Sequence, residues 1–186
     1  KNFPKCTSLI TNDGLLVAHN EDSFEAGHEE DVCIVQKKIG GYTSLEIFYY
    51  NTVGGTAIGV NSHGFAQSIN TLLFIHHQIG VPKTMAGRFL MDTADPDKDI
   101  AFMKKLKRAS GSNHNIVRKD GKTWNVEFTM SNANLTMPHL PFGHSNHCVN
   151  PNASTILRES YGTIARLNAA KRLLKPKMTE SGIMHV

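Results

Sequence analysis

The sequence is short of cysteine and of long apolar runs, and each shortage excludes a class of protein. Its 186 residues hold three cysteines, Cys6, Cys33 and Cys148. A disulfide framework is excluded because one thiol is always left over, so a reducing, intracellular compartment or a functional thiol is the better interpretation. No apolar run reaches the length of a membrane span, and the first residues lack the apolar core of a secretory signal.

An excess of charge of one sign is also missing. Lys and Arg number 20 against 16 Asp and Glu, and the net charge of +4 is scattered except at residues 104–108. We therefore expect no nucleic-acid partner. The chain is 40% hydrophobic and 19% charged, which is typical of a globular protein, since disordered chains have fewer apolar residues and a larger net charge.

Turn-forming residues divide the first half of the chain into strands. Asn12-Asp13-Gly14 and Asn61-Ser62-His63-Gly64 each separate two apolar runs, and each predicts a hairpin. Asp120-Gly121 predicts a third hairpin later in the chain. The predicted strands span residues 6–10, 15–20, 31–38, 44–50, 56–60, 65–70, 114–118 and 123–130.

Helices are predicted between and after these strands, at residues 84–92, from Pro96 onward and at 154–174. Asp95-Pro96 is typical of an N-cap followed by proline at the first helical position. The basic residues 104–108 are then interpreted as the solvated end of that helix. Polar, proline-containing residues 131–141 are predicted to be a loop. Strands, helices, strands and a helix in this order indicate an α+β layered domain with mainly antiparallel sheets.

Cys6 is the first candidate for chemistry, although its position alone favours a small buried hydrophobic residue at the start of a strand. His19-Asn20-Glu21-Asp22 ends the second strand, where its polar groups could meet Cys6 or simply form a turn. Asn70 ends an otherwise apolar strand, and its amide could donate to an oxyanion.

The segment His144-Ser145-Asn146-His147-Cys148 is rich in metal ligands and hydrogen-bond donors. We expect no metal there, because no second Cys or His pair follows at zinc-finger spacing. A papain-like cysteine hydrolase is a further hypothesis, since His144 and Asn146 follow Cys6 at the separation of about 130–150 residues found in that class. The signature around the papain-like cysteine and its helical context are missing at Cys6.

Taken in order, several short motifs resemble those of one family. The motifs are Cys6-Thr7-Ser8, His19-Asn20-Glu21-Asp22, Gly59-Val60-Asn61-Ser62-His63-Gly64, Ser68-Ile69-Asn70-Thr71-Leu72, Gly80-Val81-Pro82 and His144-Ser145-Asn146-His147. Together they resemble the acyl-coenzyme A:6-aminopenicillanic acid acyltransferase family, which includes insect β-alanyl-dopamine hydrolase. The resemblance runs from Cys6 to about Arg166.

The resemblance implies an N-terminal nucleophile hydrolase, a four-layer αββα sandwich of antiparallel sheets. It implies a precursor that cleaves itself before the cysteine, which then attacks the amide or thioester of a small molecule and forms an acyl-enzyme without a cofactor. The freed α-amine serves as the base, since its ordinary pKa of about 7.7–8.0 lets it accept a proton near neutral pH.

The same resemblance implies roles for particular residues. Cys6 is the expected nucleophile, Asp22 orients the α-amine, Asn70 contributes to the oxyanion hole and Asn146 is the catalytic asparagine. A second group of residues is expected to contact the substrate: Thr7, His19, Asn20 and Glu127. Pocket loops are expected at 25–31 and 73–80.

The chain departs from the family pattern at three places. Lys5 stands before Cys6 where the family commonly has glycine, only residues 1–5 precede it, and the sequence stops at Val186. We therefore expect residues 1–5 to be the remnant of an upstream segment and residues 6–186 to be a partial hydrolase core. Exposed sheet edges would then favour a homo-oligomer or pairing with a missing segment. A catalytically inactive relative that acts as a binding protein is the alternative function.

Overall fold

The computed structural model of the chain describes residues 5–22, 31–50, 52–72, 74, 77–150 and 162–186. Most residues of the predicted pocket loops, namely 25–30, 73, 75 and 76, lie outside the described residues, as do residues 1–4 and 151–161. The strands are β1 (Lys5–Thr11), β2 (Leu16–Asp22), β3 (Val32–Ile39), β4 (Tyr42–Tyr49), β5 (Ile58–Asn61), β6 (Phe65–Leu72), β7 (Gly111–Arg118), β8 (Thr123–Phe128), β9 (Ala133–Thr136) and β10 (Phe142–His144). The helices are α1 (Lys83–Met91), α2 (Pro96–Lys104), α3 (Thr163–Leu173) and α4 (Glu180–Ile183).

The strands form two antiparallel sheets. A three-stranded sheet has the order β10-β1-β2, and a seven-stranded sheet runs β3-β4-β5-β6-β7-β8-β9. In the smaller sheet Ser8 lies opposite His19 on one side and His144 on the other. In the larger sheet Asn70 lies opposite Asn113, which in turn lies opposite Glu127. The predicted α+β class with antiparallel sheets is confirmed.

Helices cover the outer face of each sheet, which gives four layers. Helices α1 and α2 pack on the larger sheet over an apolar cluster that includes Leu90, Ile116 and Trp124. Helices α3 and α4 cover the smaller sheet over a second cluster that includes Leu9 and Ala170. The two sheets face one another between these cores, so the apolar contacts that hold the helices lie outside the inter-sheet space.

The space between the sheets is lined by polar side chains. Asn70, Asn113, Asn115 and Glu127 lie on the inner face of the larger sheet, and each is at most 1% exposed. Buried polar groups lower the stability of the fold unless hydrogen bonds satisfy them. A buried layer of polar side chains therefore indicates a functional site, because proteins accept such costs mainly where function needs them. The site described below lies at one end of this space.

Two turns clamp the sheets together at the opposite end. Asn12, Asp13 and Gly14 all have positive φ, which is the backbone conformation that Asn, Asp and Gly tolerate best. A Cβ placed on Gly14 would lie 2.7 Å from the Gly121 Cα, and one on Gly121 would lie 2.1 Å from the Asp13 carbonyl. The turns β1–β2 and β7–β8 therefore touch through their glycines, and Cys6 lies at the far end of β1.

The predicted starts of the first two helices are confirmed to within one residue, and some other predicted boundaries are wrong. Asp95 caps α2 by accepting a hydrogen bond from the Lys98 backbone N–H. The predicted loop 131–141 contains β9, which pairs with β8 by backbone hydrogen bonds. The polar sequence of this segment gave no sign of a strand, because backbone pairing does not depend on the side chains. The predicted helix 154–174 is α3 at Thr163–Leu173, and residues 154–161 of that prediction lie outside the described residues. None of the described helices is long and apolar enough to cross a membrane.

The basic run at 104–108 also needs correction. Arg108 is 1% exposed and lies beyond the end of α2, so it is not part of a solvated helix terminus. Its guanidinium donates hydrogen bonds to four backbone carbonyls, those of Met103, Leu106, Thr129 and Asn132. This cation therefore joins the end of α2 to the end of β8.

The buried imidazole of His114 makes stability depend on pH. Burial lowers the pKa of His114 to about 3, with the charge of Lys83 adding to the effect. Because the unfolded chain binds this proton near pH 6.5 and the folded chain does not, stability is full above about pH 6.5 and is lost as pH falls toward 3. We expect a slope of about 1.4 kcal/mol per pH unit in that window, measured by urea unfolding. His114→Gln should reduce the slope, and an unchanged slope would contradict the assignment.

Candidate active site

Strand β1 presents Cys6 to the space between the sheets. Cys6, Ser8 and Ile10 alternate along the strand and are buried to 1% exposure or less, which is the pattern of an inward face. In the antiparallel pairing with β2, Cys6 lies opposite Glu21, so their side chains share this face. The thiol therefore stands at the start of a strand, in contact with the polar inter-sheet space.

Asn146 and Arg166 hold the backbone on both sides of Cys6. The Cys6 backbone N–H donates to Asn146 Oδ1 at 2.8 Å, and the Asn146 amide Nδ2 donates to the Thr71 carbonyl at 2.9 Å. Arg166 donates to the Cys6 carbonyl at 2.6 Å, to Thr7 Oγ1 at 2.7 Å and to Asn146 Oδ1 at 2.7 Å. The backbone nitrogen and carbonyl of one residue are thus fixed by two side chains that are distant in sequence.

Thr163, the first residue of α3, fixes the segment that carries Asn146. Its Oγ1 accepts from the Asn146 backbone N–H at 2.8 Å and contacts Ser145 Oγ and His147 Nδ1, both at 2.9 Å. Arg166 follows Thr163 by less than one helical turn, so α3 positions Asn146 and the guanidinium that contacts it together.

Glu127 anchors the other end of this segment. It is 1% exposed, and its Oε1 accepts from the Val149 backbone N–H at 2.6 Å while His144 Nε2 lies 3.0 Å away. Its Oε2 accepts from the Asn150 backbone N–H at 3.2 Å. Both carboxylate oxygens are therefore engaged by protein groups. Glu127 therefore holds the segment that carries Asn146, and its predicted contact with a substrate stays a prediction.

Asn70 lies between the sheets next to β1. Its Oδ1 accepts from Ser8 Oγ at 2.8 Å and from Asn115 Nδ2 at 3.4 Å, which fixes the orientation of the amide. Its Nδ2 is buried and has no hydrogen-bond partner among the described residues. An amide donor left free in a buried site is costly, and it is suited to an oxygen that arrives during a reaction.

His19 and Glu21 form a second polar chain on the inner face of β2. Ser8 Oγ lies 3.0 Å from His19 Nδ1, and His19 Nε2 lies 3.5 Å from Glu21 Oε2. Tyr49 donates its hydroxyl hydrogen to Glu21 Oε2 at 3.1 Å. Burial and the neighbouring Glu21 raise the pKa of Tyr49, so the phenol stays protonated and remains a donor. His19 therefore lies at the wall of the site and contacts the Cys6 strand through Ser8.

Thr7, Asn20 and Asp22 lie on the opposite face of the same hairpin. Asp22 is exposed and accepts from Asn20 Nδ2 at 3.3 Å, and the backbones of Asp22 and Lys5 are paired. A cavity of about 690 Å³ opens here between the hairpin and the helices α3 and α4. Thr7, His19, Asn20 and Arg166 are among its lining residues, together with apolar side chains such as Leu9. Of the four residues expected to contact a substrate, all but Glu127 line this cavity.

The environment of Cys6 keeps its thiol protonated. Burial raises the pKa of the Cys6 thiol, and the negative charge of Glu21 adds to the rise. A hydrogen bond from the Thr71 backbone N–H, the Asn146 side chain and the charge of Lys83 act in the opposite direction and do not offset it. A thiol in this state needs a base at the moment it attacks.

The His144 side chain is directed to Glu127, which bears on two hypotheses from the sequence. A papain-like enzyme needs an imidazole paired with the thiol, whereas His144 Nε2 lies 3.0 Å from Glu127 Oε1. The residues of the zinc hypothesis are likewise engaged elsewhere, since His147 contacts Thr163. Among the described residues, no group of three or more His, Cys, Asp or Glu side chains is arranged to hold a metal ion.

The sequence over residues 9–186 matches the model of the acyl-coenzyme A:6-aminopenicillanic acid acyl-transferase family. The chain belongs to this family. Family membership places it among the enzymes that hydrolyse amide bonds or transfer acyl groups, for which small-molecule amides are the matching substrates. A comparison with curated proteins finds no match in sequence.

Solved structures agree on the fold. The Caenorhabditis elegans N-acylethanolamine-hydrolyzing acid amidase (NAAA) ortholog is similar with a TM-score of 0.65 and 11% identity, over 97% of this chain and 84% of that chain. A variant of conjugated bile acid hydrolase from Clostridium perfringens gives a TM-score of 0.57 and 12% identity, over 98% of this chain and 77% of that chain. The predicted four-layer sandwich of N-terminal nucleophile hydrolases is thereby confirmed, and a papain-like fold is excluded.

Four residues that contribute to this geometry were not predicted as site residues from the sequence: Thr71, Lys83, Thr163 and Arg166. Arg166 is one of several basic residues along a helix, where a solvated cation is the ordinary expectation. Thr163 carries no sequence signal of its own. Thr71 follows the predicted site residue Asn70 directly in the sequence, and this neighbourhood was the best available indication that it lies at the site.

Proposed function

We propose that this enzyme uses Cys6 as an N-terminal nucleophile and forms an acyl-enzyme with a small-molecule amide. The observation that carries the proposal is the convergence of Asn146 and Arg166 on the backbone nitrogen and carbonyl of Cys6, at 2.8 Å and 2.6 Å. If the nucleophile reacted through its side chain alone, the orientation of its backbone nitrogen would not affect the reaction. If the α-amine of the nucleophile is the base, its orientation is essential, because that nitrogen must point at the thiol.

The α-amine requires that the bond between Lys5 and Cys6 be cut, because an amide nitrogen cannot accept a proton. We propose that the Cys6 thiol adds to the Lys5 carbonyl carbon, the C–N bond breaks, and the nitrogen leaves as the new α-amine. Water then hydrolyses the resulting thioester and restores the thiol. Asn146 Oδ1, which now accepts from the amide N–H, would accept from the amine in the same place.

In the reaction on substrate, the α-amine takes the proton from the thiol as sulfur attacks the acyl carbon. The C–N bond of the substrate breaks, the leaving amine takes that proton, and the acyl group stays on sulfur as a thioester. Attack by water completes hydrolysis, and attack by another amine completes acyl transfer. The unpartnered Nδ2 of Asn70 supports its role as a donor to the oxyanion.

We assign the remaining residues of the site by their contacts. Asp22 lies across from Lys5 in the strand pairing, which supports the proposal that its carboxylate orients the freed α-amine. Arg166 positions Asn146, and Glu127 positions the segment that carries Asn146. Thr7, His19 and Asn20 are proposed to contact substrate, and of the three, His19 shares the inner face of the hairpin with Cys6.

Intact-mass analysis tests the cleavage. We expect wild-type protein to break between Lys5 and Cys6, Cys6→Ala to stay intact, and the control Cys33→Ala, which alters an exposed cysteine, to break like wild type. Intact chains in all three would mean that the α-amine mechanism cannot operate, and a non-catalytic binding protein would then be the better conclusion.

A screen of acyl amides tests the nucleophile separately. On any substrate that wild type accepts, Cys6→Ala should lose at least about a thousandfold in kcat/KM, since the residual rate of such variants comes from binding groups alone. Full activity of Cys6→Ala on every substrate would show that another group attacks.

A further inference from the structure

Lys83 places a cation beside the nucleophile without an evident structural purpose. It is the first residue of α1, and its Nζ donates to Thr71 Oγ1 at 2.7 Å in a partly buried contact. An ammonium carries three donors, so one bond to a neutral hydroxyl leaves donors and the full charge for something else.

Several other partly exposed cations of the described residues form ion pairs with carboxylates. Lys37 and Arg88 meet Asp92, and Lys122 meets Asp97. In the part of the chain that the structure describes, Lys83 forms no ion pair. Its place in the first turn of α1 is also electrostatically unfavourable, because the positive end of the helix dipole lies there. Neither pairing nor helix stability accounts for a lysine at this position.

Three hydrogen bonds in series connect Lys83 with Cys6. Thr71, which binds Lys83 through its hydroxyl, accepts from Asn146 Nδ2 through its carbonyl at 2.9 Å. Asn146 in turn accepts from the Cys6 backbone N–H at 2.8 Å. The charge of Lys83 also lowers the pKa of the Cys6 thiol, so its field reaches the sulfur.

The other charged groups at the site are already occupied or carry the wrong sign. Arg166 donates to Cys6, Thr7 and Asn146, so its guanidinium is committed to holding them. Glu21, opposite Cys6, repels an anion. Of the site residues that the structure describes, Lys83 is therefore the cation left to attract an anion.

We propose that Lys83 is an anion subsite of this enzyme, which binds a carboxylate or similar negative group on the acyl amide that Cys6 attacks. The inference rests on the proposed role of Cys6 and adds a substrate class to it. The enzyme should prefer amides that carry an anionic group near the scissile bond over neutral amides of the same shape. The reason is that water screens the attraction between the ammonium and the anion only partly at this partly buried position.

Alkylation of Cys6 by two reagents of similar size tests the subsite without any turnover. Iodoacetate is an anion and iodoacetamide is neutral, and peptide mapping by mass spectrometry gives the rate of each at Cys6. At low ionic strength, Lys83→Met should lower the iodoacetate-to-iodoacetamide rate ratio at Cys6 about fivefold. Lys83→Arg should keep most of the wild-type ratio, because it keeps the positive charge. Added salt should lower the wild-type ratio by screening that charge. The ratio at exposed Cys33 is the internal reference, and Lys98→Met, an exposed lysine of α2, is the matched control.

An unchanged ratio in Lys83→Met would overturn the subsite while leaving the nucleophile assignment intact. Conversely, a chain that never cleaves before Cys6 still reports the ratio, so failure of the proposed function is seen separately. If the buried thiol resists both reagents, reductive ¹³C-methylation of the lysines and titration with acetate decide the matter. A saturable shift of the Lys83 resonance supports the subsite, and a shift no larger than that of Lys98 overturns it.

Discussion

Asn146→Asp is expected to lower kcat/KM by about two to three orders of magnitude, a loss comparable to removal of an oxyanion-hole donor. The substitution keeps the size and the Oδ1 acceptor of Asn146 but replaces the Nδ2 donor to the Thr71 carbonyl by an oxygen. Two oxygens then face each other across a contact that is now 2.9 Å long, so the carboxylate repels the Thr71 carbonyl and no longer fixes the Cys6 nitrogen in place. The rate of cleavage between Lys5 and Cys6 should fall with it.

The pH profile separates this mechanism from simple misfolding. A new negative charge beside the Cys6 nitrogen raises the pKa of the α-amine, and the amine must be deprotonated to act as a base. The acidic limb of kcat/KM should therefore move to higher pH in Asn146→Asp. Asn168→Asp makes the same change at an exposed position of α3 and should leave rate and profile as in wild type. A normal profile and rate in Asn146→Asp would remove Asn146 from the mechanism.

Arg108→Met should be the most destabilising single change outside the site, at about 3–5 kcal/mol in the free energy of unfolding. Four backbone carbonyls accept from the buried guanidinium, and an apolar side chain leaves them without that donor. Met103 and Asn132 keep a second backbone donor, which limits the loss. The cation also lies 5.0 Å from the centre of the Phe128 ring, a contact that the variant gives up.

Urea unfolding at neutral pH measures this loss. Lys107→Met is the matched control, because Lys107 is exposed and neighbours Arg108 in sequence, and its effect should stay within about 0.5 kcal/mol. Arg108→Lys should recover little, since an ammonium cannot reach carbonyls in four directions. Equal stability of the Arg108 and Lys107 variants would show that water replaces the guanidinium without cost.

Features that a few adjacent residues decide were predictable from the sequence. Asn12-Asp13-Gly14 gives three positive φ angles in a row, and Asp95 gives a cap, because the backbone preference of each residue acts within one turn. The short strand β9 was missed because its pairing with β8, and not its own composition, stabilises it.

The arrangement of the site was decided by tertiary structure. Arg166 lies 160 positions from Cys6 in sequence, and its role depends on how α3 packs across the smaller sheet. Glu127 and Arg108 are charged, and a charged side chain is ordinarily expected to be exposed. Both are at most 1% exposed, because backbone N–H groups bind Glu127 and backbone carbonyls surround Arg108. Local sequence therefore determined the strands, turns and caps. Only the packing of the two sheets and α3 brought Cys6, Asn146 and Arg166 together, since long-range contacts leave no periodic or local pattern in the chain.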